Sequence, residues 1–245
     1  FILMYSSSNY LSYMKYTHAT ACLTVKQVHL KKYSVSEIHR FKTLTKMSFP
    51  DLIVFDCDMC LWSPEMYELH SLPTKKVKSS VDGETMVTGA ETREGDVVEL
   101  FPAARSVLKD FYEGKFPKNC RIAAASSADN AHAVKCAHTS MNTIEILPGV
   151  TMAKVFEKGW KEGFKGNLQI GRSGKLSSNK QTHFRELKKE TGIEFNKMLF
   201  FDDCNWGDNC RIVGKLGVTT QKTPRGLTKS DFAEGLKKFA AASSN

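Results

Sequence analysis

The sequence lacks any uncharged apolar run near the roughly 20 residues that a membrane-spanning helix needs, so no membrane segment is expected. Acids are almost missing from residues 1–46, where Glu37 stands alone against Lys15, Lys26, Lys31, Lys32, Arg40, Lys42 and Lys46. That stretch carries six of the nine net positive charges and leaves three for residues 47–245. So small an excess over the body gives no phosphate-backbone footprint, and no nucleic-acid partner is expected. Internal repeats and low-complexity tracts are also absent. So is an apolar segment followed by a small-residue cleavage site, which argues against secretion. Without secretion, seven cysteines read as free thiols in a reducing compartment.

Residues 1–46 are rich in Ser, Thr and Tyr, the composition of an organellar transit segment, though poor in Arg. They are expected to be a leader outside the folded body. It is read as disordered, as targeting sequence, or as an artefact upstream of an initiator at Met47. The expected location is cytoplasmic, or organellar if the leader is a genuine transit peptide.

What is present is an ordinary globular composition, with 41% hydrophobic and 25% charged residues. A chain of 245 residues can bury one good core and is too short for two large domains. From Asp51 onward, short apolar runs alternate with amphipathic segments. LIVFD (52–56), RIAAAS (121–126) and KMLFFDD (197–203) read as strands buried on both faces. Helices are predicted over 102–114, about 129–140, 179–192 and 230–242, the first opened by Pro102 and the third capped by Asn179 and closed by Gly192. The expected fold is therefore α/β, a Rossmann-like parallel sheet with helices on both faces. Asp82-Gly83 and the later DVVELF run predict a small β-hairpin flap after the first strand. Phe156, Trp160 and Phe164, each four apart, predict a further helix packed on the body.

The stretch VFDCDMCLW (54–62) interleaves Asp56 and Asp58 with Cys57 and Cys60. Either pair suits chemistry: the carboxylates for a cation and a proton, the thiols for zinc or redox work. Three predicted strands end in polar residues, Asp56 and Asp58, Ser126 and Ser127, Asp202 and Asp203, with Lys180 opening the helix before the last. Ligands of open α/β sheets sit beyond these strand ends. The set suits phosphoryl transfer. Asp56 can attack phosphorus, Asp58 can donate and then accept a proton, and Ser126 and Lys180 can steady the phosphoryl charge. Carboxylates so near a phosphate require a hard cation, and Mg2+ suits Asp56, the Asp58 carbonyl and Asp202.

This arrangement resembles the haloacid dehalogenase superfamily and, within it, the magnesium-dependent phosphatase 1 family. The stretches that carry the resemblance are FDCDMCLW, LFPAARSVL, AAASS, SNKQTHFREL, MLFFDDCN and KLGVT, spanning about 47–240. It implies an aspartyl-phosphate mechanism with Asp56 as nucleophile and Asp58 as acid and base. It also implies substrate contacts at the Cys57 N–H, Ser126, Ser127 and Lys180. The implied metal site holds Mg2+ through Asp56, Asp58, Asp202 and Asp203. A flap but no large cap domain is implied, with phosphotyrosine protein or sugar phosphate as substrate, and a monomer is expected. Departures are Cys60 where Thr is usual, Ser127 where relatives often carry Arg, and a lengthened DDCNWGDN loop. Two alternatives remain, a thiol-based zinc or redox module using Cys57, Cys60, Cys204 and Cys210, and a catalytically silent scaffold of the same fold.

Overall fold

The computed structural model describes residues 48–244; the leader expected at 1–46 lies outside them. The chain order of the sheet elements is β1 (Leu52–Phe55), β2 (Trp62–Ser63), β3 (Lys75–Val81), β4 (Glu84–Glu91), β5 (Val97–Leu100), β6 (Arg121–Ser126), β7 (Glu145–Leu147), β8 (Val150–Thr151), β9 (Leu168–Ile170), β10 (Met198–Asp202) and β11 (Thr219–Lys222). The α-helices are α1 (Pro102–Tyr112), α2 (Ala131–Thr143), α3 (Met152–Glu157), α4 (Lys180–Thr191), α5 (Asn209–Gly214) and α6 (Lys229–Ala242).

Five strands form a parallel sheet in the order β11-β10-β1-β6-β9. Every residue of β1 is fully buried, which is why the run is continuously apolar and not alternating. Successive side chains still go to opposite faces. Ile53, Phe55, Ile122, Ala124, Leu199 and Phe201 join one core with α1, α2, α3 and α6. Leu52, Val54, Ala123, Ala125, Met198 and Phe200 join a second core with Phe184 and Leu187 of α4 and Val213 of α5. Helices therefore cover both faces, as the alternating pattern predicts.

The flap is larger than a hairpin. Asp82 and Gly83 make the two-residue turn between β3 and β4, both at positive φ (55° and 85°), which matches strand twist and suits an Asp-Gly pair. Beyond that hairpin, β5 and β2 extend the antiparallel sheet to four strands, β2-β5-β4-β3. Between Ser126 and Lys180 the chain builds α2, the β7–β8 pair, α3 and β9, the last an edge strand of the main sheet. No segment there forms a separate cap among the described residues.

The aromatic stripe does not lie on one helix. The helix α3 stops at Glu157, and Gly159 and Gly163 take φ of 83° and 73°, conformations that end a right-handed helix. Trp160 and Phe164 instead pack against each other, rings 4.9 Å apart, in the turns that follow. The Trp160 indole N–H donates to the Ile122 carbonyl at 3.3 Å. The positive φ favours glycine at 159, where a Cβ would also push the end of the Arg121 side chain, 2.6 Å away at Nε.

Candidate active site

Parallel register brings the carboxyl ends of β1, β6 and β10 side by side. Phe55 pairs with Phe201 and with Ala124, and the Asp56 N–H continues the ladder onto the Phe201 carbonyl at 2.9 Å. A cleft of about 410 Å³ opens at these ends, lined by Asp56, Asp58, Ser126, Ser127, Lys180 and Asp203 among others. Carboxylate oxygens of Asp56, Asp202 and Asp203 all lie within 4.8 Å of one another.

Lys180 is the hub. It is the first residue of α4, placed by the Asn179 cap, whose side chain accepts from the Gln181 N–H at 3.0 Å. Only 2% exposed, its ammonium donates to Asp56 Oδ1 (2.7 Å), Asp202 Oδ2 (3.2 Å) and the Ala125 carbonyl (2.7 Å). These occupy all three of its donors. Burial opposes its charge, but the two carboxylates outweigh burial and hold the pKa above the usual lysine value.

The four carboxylates differ. Burial drives the Asp56 carboxyl well up, against the pull of Lys180; its Oδ1 is held by Lys180 and by the Cys57 N–H at 2.8 Å. Burial also acts on Asp202, but Lys180, two bonds from Asn209 Nδ2 and the Cys204 N–H at 2.8 Å hold it below the ordinary range. Among the described residues Asp203 accepts only from the Asn205 N–H, at 3.2 Å, and burial followed by the Asp202 charge lifts it to about 6. Asp58 stands outside the three-carboxylate cluster. Its oxygens accept from Trp62 Nε1 (2.7 Å) and the Met66 N–H (3.1 Å), which temper a pKa raised by burial to about 6.

With all three ionised, the clustered carboxylates exceed the one lysine by two negative charges in a buried space. An all-oxygen donor set with that excess fits a hard divalent cation.

The cysteine thiols lie outside the carboxylate cluster, and Cys57 and Cys204 meet it only through their backbone N–H groups. Cys57 and Cys60 are fully buried in the first core, and burial pushes both thiols well up. Cys60 receives the Thr223 hydroxyl at 3.4 Å. No cysteine joins a metal-sized cluster of three or more ligating groups among the described residues, so the four-thiol zinc alternative has no site. The two helix histidines bond backbone carbonyls: His183 Nε2 that of Gly171 and His132 Nε2 that of Leu69, both at 3.0 Å.

Four contributors were not anticipated. Trp62 holds Asp58, and Asn209 holds both oxygens of Asp202. Arg172 and Trp206 line the cleft. Trp206 is 76% exposed, and its indole N–H donates to both carboxylate oxygens of Glu65. Asn209 sits in the lengthened DDCNWGDN loop, the one place where the sequence signalled something extra.

A five-stranded parallel sheet with clustered carboxylates at its strand ends defines a phosphoryl-transfer type of site. Residues 48–242 match the Acid Phosphatase family, and the chain belongs to it. It is 27% identical over 193 residues to human magnesium-dependent phosphatase 1, covering 79% of this chain and 89% of that protein. It is also similar to a crystal structure of the N-terminal part of a Bacteroides fragilis protein, described as containing a phosphatase domain complexed with Mg. That likeness has a TM-score of 0.42 and 16% identity, and covers 83% of this chain and 43% of the other.

Proposed function

We propose that this phosphatase is a Mg2+-dependent phosphomonoesterase working through an aspartyl phosphate on Asp56. The observation that carries the reading is the Asp56–Asp202–Asp203 cluster bridged by Lys180 beside a separately held Asp58. Asp56, Asp202 and Asp203, with the Asp58 main-chain carbonyl, would hold the ion. Bound there, Mg2+ supplies positive charge against the phosphoryl oxygens.

Asp56 Oδ1 is tied to Lys180 and the Cys57 N–H, which leaves Oδ2 to attack phosphorus. As the P–O bond to the leaving group breaks, Asp58 delivers its proton to the departing oxygen. A pKa of about 6 suits a group that must give a proton in one step and take it back in the next. Conversion of the Asp56 carboxylate to an acyl phosphate weakens its hold on Lys180. The ammonium is then free to turn to the phosphoryl oxygens, alongside the Ser126 hydroxyl and the Cys57 N–H. Water next attacks phosphorus, surrenders a proton to Asp58, and the bond to Asp56 breaks. The net reaction is ester plus water to alcohol plus phosphate. Phosphotyrosine protein and sugar phosphate are the proposed substrate classes, and the open cleft with no cap supports either.

Asp56→Asn should lower turnover of an aryl phosphate by three or more orders of magnitude, with the fold kept, because an amide cannot form the acyl phosphate. Wild-type activity should vanish on chelation and return with Mg2+. Normal turnover by Asp56→Asn would sink the mechanism, and no turnover by the Mg2+-loaded wild type would favour the silent scaffold.

A further inference from the structure

The cleft contains a cation and a hydroxyl that the proposed chemistry leaves unused. Arg172 follows β9, whose parallel register sets Ile170 against Ser126. The Gly171 N–H donates to the Ser126 carbonyl at 2.8 Å, and Gly171 turns the chain at φ 106°. His183 Nε2 locks that turn by donating to the Gly171 carbonyl. The next residue, Arg172, then donates Nε to the Ser127 carbonyl at 2.9 Å. This bond fixes the guanidinium by one edge and leaves both terminal nitrogens without a partner among the described residues. No carboxylate pairs with Arg172 among the described residues. Directly beside it, Ser127 Oγ is buried without a hydrogen-bond partner. Such an orphaned hydroxyl is unusual in a folded protein and calls for a ligand or another explanation.

The charge balance points the same way. Lys180, the other cation lining the cleft, is held among the buried carboxylates and is assigned above to the transferred phosphoryl group. Arg172 is an exposed residue of the cleft lining, whereas Asp56, Asp202 and Asp203 are buried. A guanidinium presenting two parallel N–H groups matches a carboxylate or a second phosphate far better than a neutral group.

We propose that Arg172 and Ser127 form a subsite for a second anionic group on the leaving-group side of the substrate. The preferred substrates are then phosphomonoesters of acidic molecules. This rests on the phosphomonoesterase reading above and adds a specificity element to it.

The test compares matched esters: phenyl phosphate with meta- and para-carboxyphenyl phosphate, and ethyl phosphate with phosphoglycolate. Wild-type enzyme should show a lower KM for at least one acidic member of a pair. Arg172→Gln should remove that preference, raising its KM about ten-fold, the worth of one hydrogen bond between charged groups. Its kcat, and both constants for the neutral partner, should stay within about two-fold. Arg172→Lys should restore part of the preference and Ser127→Ala should weaken it. Equal losses on neutral and acidic esters would assign Arg172 to the transferred phosphoryl group and overturn the proposal. So would a wild type that turns over the neutral esters without favouring any acidic one. If no ester at all is hydrolysed, the phosphomonoesterase reading itself has failed, and this proposal with it.

Discussion

Trp62 donates its indole N–H to Asp58 Oδ1 at 2.7 Å, and that bond lowers a proton affinity that burial raises in the proposed acid–base group. The turn that makes it possible is tight: Met59 sits at φ 54°, and the Leu61 N–H closes onto the Cys57 carbonyl at 2.8 Å. A donor to the charged form lowers a carboxyl pKa, so Trp62→Phe should raise that of Asp58, by about one unit if the bond is worth about 1.4 kcal/mol. Asp58 must be protonated to expel a poor leaving group. The high-pH limb of kcat/KM for an alkyl phosphate should therefore move upward by that amount. A pH profile of the variant that superimposes on wild type would detach Trp62 from the proton transfer.

Lys180→Met should be strongly destabilising. It keeps the volume but leaves Asp56 and Asp202 buried without their shared cation, a loss on the order of 3 kcal/mol. Urea unfolding at neutral pH should show it. Mg2+ should return part of the stability, because a divalent ion among the three carboxylates replaces the missing charge. An unchanged midpoint would mean that the carboxylates tolerate one another without the lysine.

His183 is held neutral. Burial first, and the nearby Lys180 charge second, lower its pKa from 6.5 to about 4. Below pH 6.5 the unfolded chain takes up a proton that the folded histidine refuses. The stability it contributes is therefore complete above pH 6.5 and is lost as pH falls toward 4. The loss approaches about 3 kcal/mol. His183→Gln removes this titration, so the stability difference between wild type and variant should shrink across that window. A difference that stays constant with pH would show that the imidazole charges freely in the fold.

Cys57→Ala and Cys60→Ser should each keep most of the activity and cost about 1 kcal/mol of stability, as small buried groups do. Among the described cysteines, Cys204 should react first with iodoacetamide. It is half-exposed, and a hydrogen bond from Cys210 lowers its pKa, whereas Cys57 and Cys60 are sealed in the core. Mass spectrometry of briefly alkylated native protein gives the order directly.

Much of this architecture was readable along the chain. The continuous apolar runs placed β1, β6 and β10 within a residue or so. Pro102, Asn179 and Gly192 bounded their helices because capping is a local hydrogen-bonding matter. The short strands β9 and β11 escaped notice, since three or four residues of mixed character become strands only when a neighbouring edge offers its hydrogen bonds. The stripe Phe156, Trp160, Phe164 misled for a related reason. Spacing reports which faces side chains prefer, while Gly159 and Gly163 decide that the backbone turns.

The sequence by itself determined that acids and serines would sit at the ends of buried strands and a lysine at a helix start, because strand burial, turn chemistry and helix caps depend on near neighbours. Only the tertiary structure decided what those groups became. Lys180 is saturated because three distant chain segments converge on one ammonium, and Asp58 titrates near 6 because its surroundings exclude water. The C-x-x-C is packing because it faces the core beneath the sheet ends. Arg172 reaches the cleft because β9 pairs with β6, a register between residues more than forty positions apart that no local pattern encodes.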